Sequence, residues 1–415
     1  MDSQAKFDES HLRDLLPLYY KRLFPAAHFY KWLSYGNAST FAHREISFAL
    51  ENDIYLRFQS FDTYKEFVEE LYKKNPIKID IGPIYLTKPK ARNMGQALQA
   101  SAKEMVFDID LTDYDDVRTC CSGADVCTKC WKFMAIASKI IDTALREDFR
   151  YVNVLWVFSG RRGIHAWVSD EHARGLDING RPAIAEYLTV LKEGMKKKKV
   201  SLTGHIHTSI SRALKIIDKY FPTIVKEQDI LGTDERLKNF LSILDDNVRT
   251  QFKDCMTKVT TSAERWEAFE RKFMQLQQTN EIPRNLKNLR EEIKLQYAYP
   301  RLDINVTKGI THLLKAPFCV HPKTGKVCVP FNVKHVDNFD PNNVPTISMI
   351  INEVDAYDKK TKEQEETLME TDEPSVTNQV KIKDYKKTSL LRPINLFSEF
   401  LKNLEKDTKK RVDPF

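Results

Sequence analysis

The chain has 415 residues, of which 42% are hydrophobic and 30% charged, and its formal net charge is +7 at pH 7. That length predicts two or three domains, and the modest charge permits a polyanionic partner without requiring one. No apolar run approaches the roughly 18 residues that a membrane helix needs, and the first ten residues, MDSQAKFDES, are too polar for a secretory signal. We therefore expect an intracellular protein without a membrane span.

A β-hairpin is predicted in the first sixty residues. Apolar side chains alternate with other residues on both sides of the polar turn END, from Ile46 to Phe58. Glu45 and Arg57 then lie together on the face opposite the core. A further strand, IKIDIGPIYL, follows, in which Asp80 points away from its two isoleucine neighbours.

The next predicted strand, KEMVFDIDL, ends in two acids, Asp108 and Asp110. Residues i and i+2 of a strand project from the same face, so these carboxylates lie close together and repel each other. A pair of Mg²⁺ or Mn²⁺ ions would relieve that repulsion and hold both the attacking and the leaving oxygens of a phosphoryl displacement. A strand with its acids in water is the alternative, because so short a motif often occurs by chance.

A cysteine cluster follows the acids. Cys120, Cys121, Cys127 and Cys130 are four of the seven cysteines in the chain. The C-x2-C half fits a tetrahedral zinc ion, and four thiolates leave no open ligand position, so the pattern predicts a structural zinc that stiffens the loop leaving the acid strand. A chance cluster of reduced thiols is the alternative.

The segment FSGRRGIH predicts a tight basic turn between two strands. Ser159, Arg161, Arg162 and His165 surround two glycines there. Arginine grips phosphate oxygens through paired hydrogen bonds, and glycines let backbone amides approach an anion. No Walker A pattern occurs in the chain, so nucleotide binding of the P-loop type is excluded. A hairpin tip with solvated arginines remains equally compatible with the pattern.

The periodicity of apolar residues changes twice in the second half of the chain. Helical periodicity and scarce glycine over residues 183–299 predict an inserted helical subdomain, and strand texture returns near YPRLDINV. The stretch that follows joins Asp303 to His312, Lys315 and His321. Residues 358–380 have few large apolar groups, which predicts an acidic disordered loop, and an amphipathic helix is expected after it.

Together these segments favour one chemistry. Acids would hold divalent metals, while Arg, Lys and His would hold a triphosphate from which pyrophosphate leaves. On the residues alone, polymerisation, nucleotide cyclisation and metal-dependent phosphodiester hydrolysis all stay open.

The order of the motifs narrows that choice. VFDIDLTDYDD, the cysteine cluster, SGRRGIH, YPRLDINVTKGITHLLKAPFCVHPKTG and VPTIS resemble, in this order, the small catalytic subunits of eukaryotic DNA primase. The resemblance implies an archaeo-eukaryotic primase catalytic fold of the α/β (α+β) class, with mixed sheets, an inserted helical subdomain and a small zinc-binding motif. It also implies de novo synthesis of RNA primers on single-stranded DNA from ribonucleoside triphosphates.

The resemblance assigns roles to particular residues. By analogy with the family, the catalytic metals, Mg²⁺ or Mn²⁺, would be held by Asp108, Asp110 and Asp303. The remaining residues would contact the nucleotide: Ser159, Arg161, Arg162 and His165 in the triphosphate turn, Lys315 and His321 as a second phosphate contact, and Glu45, Arg57 and Asp80 around the rest of the site. Since an ionised aspartate only accepts hydrogen bonds, Asp80 could select ribose through its hydroxyls.

The predicted organisation has five segments. The catalytic body consists of residues 1–182, which include the zinc motif at 120–130, and residues 300–357. The helical subdomain, 183–299, is inserted between these two parts. The acidic loop, 358–380, and the C-terminal segment, 381–415, follow.

The resemblance further implies partners and a location. The partners are a large regulatory subunit containing an iron–sulfur cluster and the catalytic and accessory subunits of DNA polymerase alpha. The location is the nucleus. The run Lys196–Lys199 is either a nuclear address or a solvated charge run. Two rival functions remain: a primase-polymerase that extends primers with deoxynucleotides, and a zinc-stabilised accessory subunit that binds nucleic acid without catalysis.

Overall fold

A computed structural model describes residues 7–95, 97–191, 200–202, 204–244, 246–369 and 382–412. The strands of the described chain are β1 Arg44–Ala49, β2 Tyr55–Gln59, β3 Lys78–Tyr85, β4 Ala100–Ala102, β5 Met105–Asp110, β6 Val154–Phe158, β7 Gly163–Val168, β8 Leu314–Lys315 and β9 Pro330–Phe331. Its helices are α1 Leu12–Arg22, α2 Ala26–Ser34, α3 Ala38–Ala42, α4 Tyr64–Lys74, α5 Thr128–Glu147, α6 Glu171–Arg174, α7 Gly180–Tyr187, α8 Thr208–Glu227, α9 Asp234–Leu241, α10 Asp246–Met256, α11 Ser262–Gln278, α12 Leu289–Ala298, α13 Ile304–Lys308, α14 Ile347–Met369 and α15 Leu391–Val412.

The strands form two antiparallel sheets. In the first sheet the order is β2-β1-β3-β4, and β8 also pairs with β3. In the second sheet the order is β5-β7-β6-β9. Both sheets bury apolar side chains, with Phe48 and Ile79 fully buried in the first and Ile109 and Trp167 in the second. The predicted mixed α/β (α+β) class is therefore confirmed.

The predicted hairpin forms with an altered outer strand. Phe48 pairs with Leu56, and the register shifts between Ile46 and Phe48. Ile54, which the alternation assigned to the core, lies before β2 and is 50% exposed. The shift breaks strict alternation because a bulge inserts a residue that has no cross-strand partner.

Helices occupy the stretch in which a helical subdomain was predicted. Helices α7 to α12 fall there, and α8 packs on α5, α11 and α12, with the Phe221 and Trp266 rings 4.9 Å apart. The limits 183 and 299 remain predictions, although α7 already begins at Gly180. The lysine run Lys196–Lys199 lies outside the described residues.

Two predictions about the last third of the chain are wrong. The segment YPRLDINV contains no strand: Asp303 caps α13 by accepting a hydrogen bond from the Asn305 amide at 3.0 Å. The predicted disordered loop, 358–380, is helical up to Met369 because α14 continues into it. Lysine and glutamate are good helix formers, and Lys359 pairs with Glu363 one turn away. Residues 370–381 lie outside the described part of the chain.

The C-terminal helix packs on its own chain. Helix α15 begins two residues before Pro393, which is tolerated in a first turn. The Phe397 ring is fully buried and lies 5.9 Å from Trp32 and 5.4 Å from Phe318. This helix therefore ties the N-terminal helices to the segment between β8 and β9. None of the helices in the described ranges is long and apolar enough to cross a bilayer.

Candidate active site

One cleft collects side chains from both sheets. It has an empty volume of about 770 Å³. Most of the candidate site residues from the sequence analysis line it: Asp80, Asp108, Asp110, Ser159, Arg161, Arg162, His165, Lys315 and His321. Four further lining residues were not assigned to the site by sequence: Lys78, His312, Leu313 and Leu314.

Two carboxylates, Asp108 and Asp110, line this cleft, and a third, Asp303, lies near them outside the lining. Asp108 and Asp110 end β5, where they pair with His165 and Gly163 of β7. Asp303 arrives from a distant part of the sequence, and its amide donates a hydrogen bond to the Asp108 carbonyl oxygen at 3.0 Å. This backbone bond brings the exposed third acid to the end of β5, where its charge acts on the Asp108 carboxyl.

The electrostatics of these acids favours a bound cation. Burial, together with the charges of Asp110 and Asp303, raises the pKa of Asp108 to about 6. The same two causes, burial and the acids of the site, raise the pKa of Asp113 to about 6, although this side chain lies at the exposed rim. Carboxylate oxygens are the ligands that Mg²⁺ and Mn²⁺ prefer, and a dication would remove the repulsion. Asp108 and Asp110 thus offer carboxylate oxygens to a cation, although the ligand atoms of the three acids do not all lie within 4.8 Å of one another.

Asp110 differs from Asp108 because its charge is already compensated. Burial alone would raise the pKa of Asp110, but donors from Thr112 and Arg162 hold that pKa below its usual range. The Arg162 Nε atom lies 2.7 and 2.9 Å from the two carboxylate oxygens, and the Thr112 amide lies 2.9 Å from Oδ1. In this arrangement Arg162 neutralises one acid of the pair.

Asp108→Asn is expected to stabilise the protein in the absence of Mg²⁺ and Mn²⁺. The folded-state pKa is raised from 3.8 to about 6, so ionised Asp108 destabilises the fold above pH 6, and that penalty disappears as the pH falls below 4. The variant should exceed the wild type by about 1–3 kcal/mol in free energy of unfolding at pH 7.5, and the gap should close at pH 4. Urea unfolding at the two pH values, with zinc retained, measures this.

The matched control is Asp254→Asn, on the exposed face of α10. It should change the free energy of unfolding by no more than about 0.5 kcal/mol at either pH. A variant of Asp108 that is less stable than the wild type at pH 7.5 would contradict the raised pKa.

The basic turn has the geometry of an anion site. The Ser159 amide bonds to the Gly163 carbonyl at 2.9 Å, and the Gly163 amide bonds to the Ser159 hydroxyl at 3.0 Å, which closes the turn. Gly160 has a φ of +90°. Within the described chain, the amides of Gly160, Arg161 and Arg162 donate to no protein group. Consecutive unpaired amides in such a turn form a concavity that binds anions.

Lys315 and His321 border this turn. Lys315 lies opposite Asp80 across the β3–β8 pairing, and its Nζ donates to the Ser159 carbonyl at 2.6 Å. Burial and the charge of Lys315 lower the pKa of His321 to about 3, and the same two causes lower the pKa of His165 to about 3. Both histidines are therefore neutral, and the His165 Nδ1 atom is buried without a partner in the described chain.

Glu45 and Arg57 are brought together but do not line the cleft. The Glu45 side chain is fully buried and accepts from Arg57 Nε at 3.0 Å, from the Phe58 amide at 3.2 Å and from the Tyr85 hydroxyl at 3.0 Å. A Cβ at Gly82 would lie 2.9 Å from the Glu45 Cβ, so only glycine lets this side chain pack on β3. Glu45 therefore orients Arg57 and supports β2 from within.

Asp80 does line the cleft. Its Oδ2 atom accepts from the Tyr55 hydroxyl at 2.7 Å and from Lys78 Nζ at 2.8 Å. Its Oδ1 atom accepts no hydrogen bond from the described residues. One oxygen of this buried carboxylate is therefore held in place while the other is left for a ligand.

The four cysteines also converge. Their sulfur atoms all lie within 4.8 Å of one another, and they form the one such group of metal-ligating side chains among the described residues. The Cys127 Sγ atom is 3.5 Å from Cys120 Sγ and 3.9 Å from Cys130 Sγ. Zn–S bonds of about 2.3 Å place tetrahedral sulfurs about 3.8 Å apart. The cluster thus fits the predicted structural zinc.

The cluster is attached to helix α8 of the helical stretch. Gln228, at the end of α8, is fully buried, and its Oε1 accepts from the Thr119 amide at 2.9 Å and the Cys120 amide at 3.3 Å. Its Nε2 donates to Cys120 Sγ at 3.4 Å. A hydrogen bond to a thiolate sulfur orients a metal ligand, so this contact couples the cysteine loop to the helices.

Comparison with known proteins agrees with this geometry. A family model described as DNA primase small subunit matches residues 107–333. The DNA primase small subunit of Drosophila melanogaster is 48% identical over 413 residues, which covers 96% of this chain and 92% of that protein. The chain belongs to the DNA primase small-subunit family. The Schizosaccharomyces pombe protein of the same name is 39% identical over 350 residues, covering 81% and 77% of the two chains.

The family extends to archaea at lower identity. The DNA primase small subunit PriS of Picrophilus torridus is 23% identical over 312 residues, covering 72% of this chain and 76% of that protein. The family model spans the three acids, the cysteines, the basic turn, Lys315 and His321, whereas Glu45, Arg57 and Asp80 precede it.

Of the four residues of this primase-family cleft that were not assigned to the site by sequence, two are polar, Lys78 and His312. Lys78 shares a face with Asp80 because the two are i and i+2 in β3, a signal that could have found it. His312 was noted only as a nearby cation; it lines the cleft, and buried Lys103 donates to its carbonyl oxygen. No local pattern links Lys103 to His312, because the contact is made only in the folded chain.

Proposed function

We propose that this chain is the catalytic subunit of a DNA primase. It would be a nucleotidyltransferase that makes short RNA primers de novo on single-stranded DNA, for the initiation of replication and for lagging-strand synthesis. The observation that carries the proposal is one cleft lined by Asp108 and Asp110 and by a turn with unpaired amides, with Asp303 close enough to act on Asp108. The name shared by its relatives, DNA primase small subunit, supports the same function.

Asp108, Asp110 and Asp303 would hold the catalytic ions, Mg²⁺ or Mn²⁺. Two bound ions would supply charge neutralisation at the attacking and leaving oxygens of the transfer. Support comes from the raised pKa of Asp108, since burial and the charges of Asp110 and Asp303 make its ionised form unfavourable until a cation is bound.

The basic side of the cleft would bind the triphosphate. Arg161 and Lys315 offer charged donors, and the unpaired amides of the basic turn offer neutral ones. A hydroxyl oxygen of the primer or of the first nucleotide attacks the α-phosphorus, and pyrophosphate leaves towards this side. His165 and His321 stay neutral because of burial and the adjacent Lys315, so each can donate only one N–H to a phosphate oxygen.

Asp80 would select ribose. Its bound Oδ2 fixes the carboxylate, and its remaining oxygen can accept a hydrogen bond from a sugar hydroxyl. Deoxyribose lacks the 2′ donor, so a buried acceptor would be left unsatisfied when a deoxynucleotide binds.

One assay tests the function. The purified chain receives a single-stranded template, Mg²⁺ or Mn²⁺, and either ribonucleotides or deoxynucleotides, with no primer. We expect oligoribonucleotides, and we expect Asp80→Ala to reduce the preference for ribonucleotides by tenfold or more, on the order of one buried hydrogen bond. Deoxynucleotide products of equal yield would favour a primase-polymerase, and no product with either set would favour a non-catalytic subunit.

Partners and location are also proposed here. The word small in the relatives' name supports a larger partner subunit. We infer a heterodimer with an iron–sulfur-containing large subunit, joined to the subunits of DNA polymerase alpha in the nucleus. Co-purification and microscopy of a tagged chain would test this, and a tagged chain excluded from the nucleus in the presence of its partners would contradict it.

A further inference from the structure

The two phosphate-facing segments of the cleft contact each other at Thr324. One segment is the basic turn, Ser159–Gly163; the other is the turn from His321 to Lys326, which we call the Thr324 turn. The Thr324 hydroxyl donates to the Gly160 carbonyl oxygen at 2.7 Å. This is a direct link between segments that lie 164 residues apart in the sequence.

The two turns approach so closely that Gly160 has no room for a side chain. A Cβ at Gly160 would lie 2.7 Å from the His321 Cβ and 3.1 Å from the Cys328 sulfur. The Thr324 turn is itself closed by hydrogen bonds from the Thr324 and Gly325 amides to the His321 carbonyl, at 3.2 and 2.8 Å. Thr324 is therefore presented by a well-bonded turn.

The Thr324 hydroxyl has a defined direction. The Lys326 amide donates to its oxygen at 3.3 Å, which leaves the hydroxyl proton for the Gly160 carbonyl. On the preceding peptide, Lys315 Nζ and the Cys328 thiol donate to the Ser159 carbonyl oxygen at 2.6 and 3.1 Å. The first two carbonyls of the basic turn, those of Ser159 and Gly160, are thus held by side chains from the stretch 315–328.

Because peptide groups are planar, these contacts with carbonyl oxygens also determine the directions of the amides that follow them. In a planar trans peptide the C=O and the following N–H point in opposite directions. Holding the Gly160 carbonyl against Thr324 therefore directs the Arg161 amide the other way, and this amide has no partner in the described chain. If the peptide rotated, a carbonyl oxygen would replace an amide near the bound phosphates and would repel them.

We propose that Thr324 is a positioning residue for the triphosphate. Its hydroxyl orients the peptide between Gly160 and Arg161 so that the amide is available to a phosphate oxygen. The inference rests on the proposed function, because it takes the basic turn as the phosphate site. It assigns no contact between Thr324 and the nucleotide.

The test compares Thr324→Val, which keeps the shape but removes the hydroxyl, with Thr324→Ser, which keeps the hydroxyl. Equilibrium titration with ATP and with AMP, in the presence of Mn²⁺, separates phosphate contacts from contacts to the rest of the nucleotide. We expect Thr324→Val to weaken ATP binding about tenfold, on the scale of one hydrogen bond, with AMP binding unchanged. Thr324→Ser should restore ATP affinity to within about twofold.

The matched control is Thr388→Val. The Thr388 hydroxyl donates to the Tyr385 carbonyl at 3.0 Å in a turn that does not line the cleft. This control should leave ATP affinity unchanged. In steady-state assays Thr324→Val should raise the KM for ribonucleotides and leave kcat within about threefold, since the acids are untouched.

Two results would overturn the inference while leaving the proposed function intact. One is a Thr324→Val protein that binds ATP as tightly as the wild type. The other is an equal loss of ATP and AMP affinity together with a lowered melting temperature, which would show a purely structural role. Failure of the wild type itself to bind ATP would instead overturn the proposed function, and this inference with it.

Discussion

Replacing Asp108 with asparagine is expected to lower nucleotide incorporation by a factor of about a thousand or more. Asparagine keeps the shape of the side chain but removes the charge that would hold a divalent ion, and a neutral amide is a poor ligand for Mg²⁺. Primer synthesis on a single-stranded template, measured at saturating ribonucleotide with Mg²⁺ and separately with Mn²⁺, gives kcat for the variant and the wild type.

Asp303→Asn should cause a loss of similar scale, because its backbone is bonded to Asp108 and its charge acts on the Asp108 carboxyl. The matched control, Asp254→Asn on exposed α10, should keep full activity. Retention of more than about a tenth of the wild-type kcat by Asp108→Asn would contradict a metal-holding role. Because the same substitution should stabilise the metal-free fold, a loss of activity could not be attributed to unfolding.

Removal of the zinc that the cysteine cluster is expected to bind is the second large expected effect. Cys130→Ser, or extraction of zinc by a strong chelator, should lower the free energy of unfolding by at least about 4 kcal/mol, since zinc binding contributes directly to folding free energy. The reason is structural: Cys130 lies in the first turn of α5, whose 20 residues supply a large part of the core between the sheet and α8. Denaturant unfolding with zinc content measured in parallel gives the result.

Cys255→Ser is the matched control, because this half-buried thiol lies in α10 outside the cluster. It should retain one zinc per chain and lose no more than about 1–2 kcal/mol of stability. A Cys130→Ser protein with the wild-type zinc content and an unchanged unfolding midpoint would show that the four thiols are not a metal site.

Much of the site could be predicted because its signals are local. The period of two in VFDID determines that Asp108 and Asp110 share a face, and the structure places both in the cleft. The spacing of the cysteines restricts their sulfurs to a small volume, and these sulfurs do converge. In both cases the residues that matter lie within a few positions of each other along the chain.

Other features of the fold could not be predicted from local sequence patterns. The register shifts between Ile46 and Phe48, and a sequence period carries no record of a bulge; Ile54 is exposed because it lies before β2 begins. Helix α14 continued into the acidic stretch because the Lys and Glu side chains that make it polar are also strong helix formers. Low hydrophobicity was therefore a poor guide to disorder up to Met369.

The sequence by itself determined which side chains could bind metal, zinc and phosphate, because that chemistry belongs to the residue types and to short spacings. Only the tertiary structure decided that the Asp303 amide bonds to Asp108, that Glu45 is buried as the support of Arg57, and that Thr324 holds the Gly160 carbonyl. Glu45 and Arg57 belong to one hairpin, and local pattern missed only the burial of Glu45. The Asp303–Asp108 and Thr324–Gly160 contacts join segments far apart in the chain. Their geometry depends on how the two sheets pack, and no local periodicity encodes that packing.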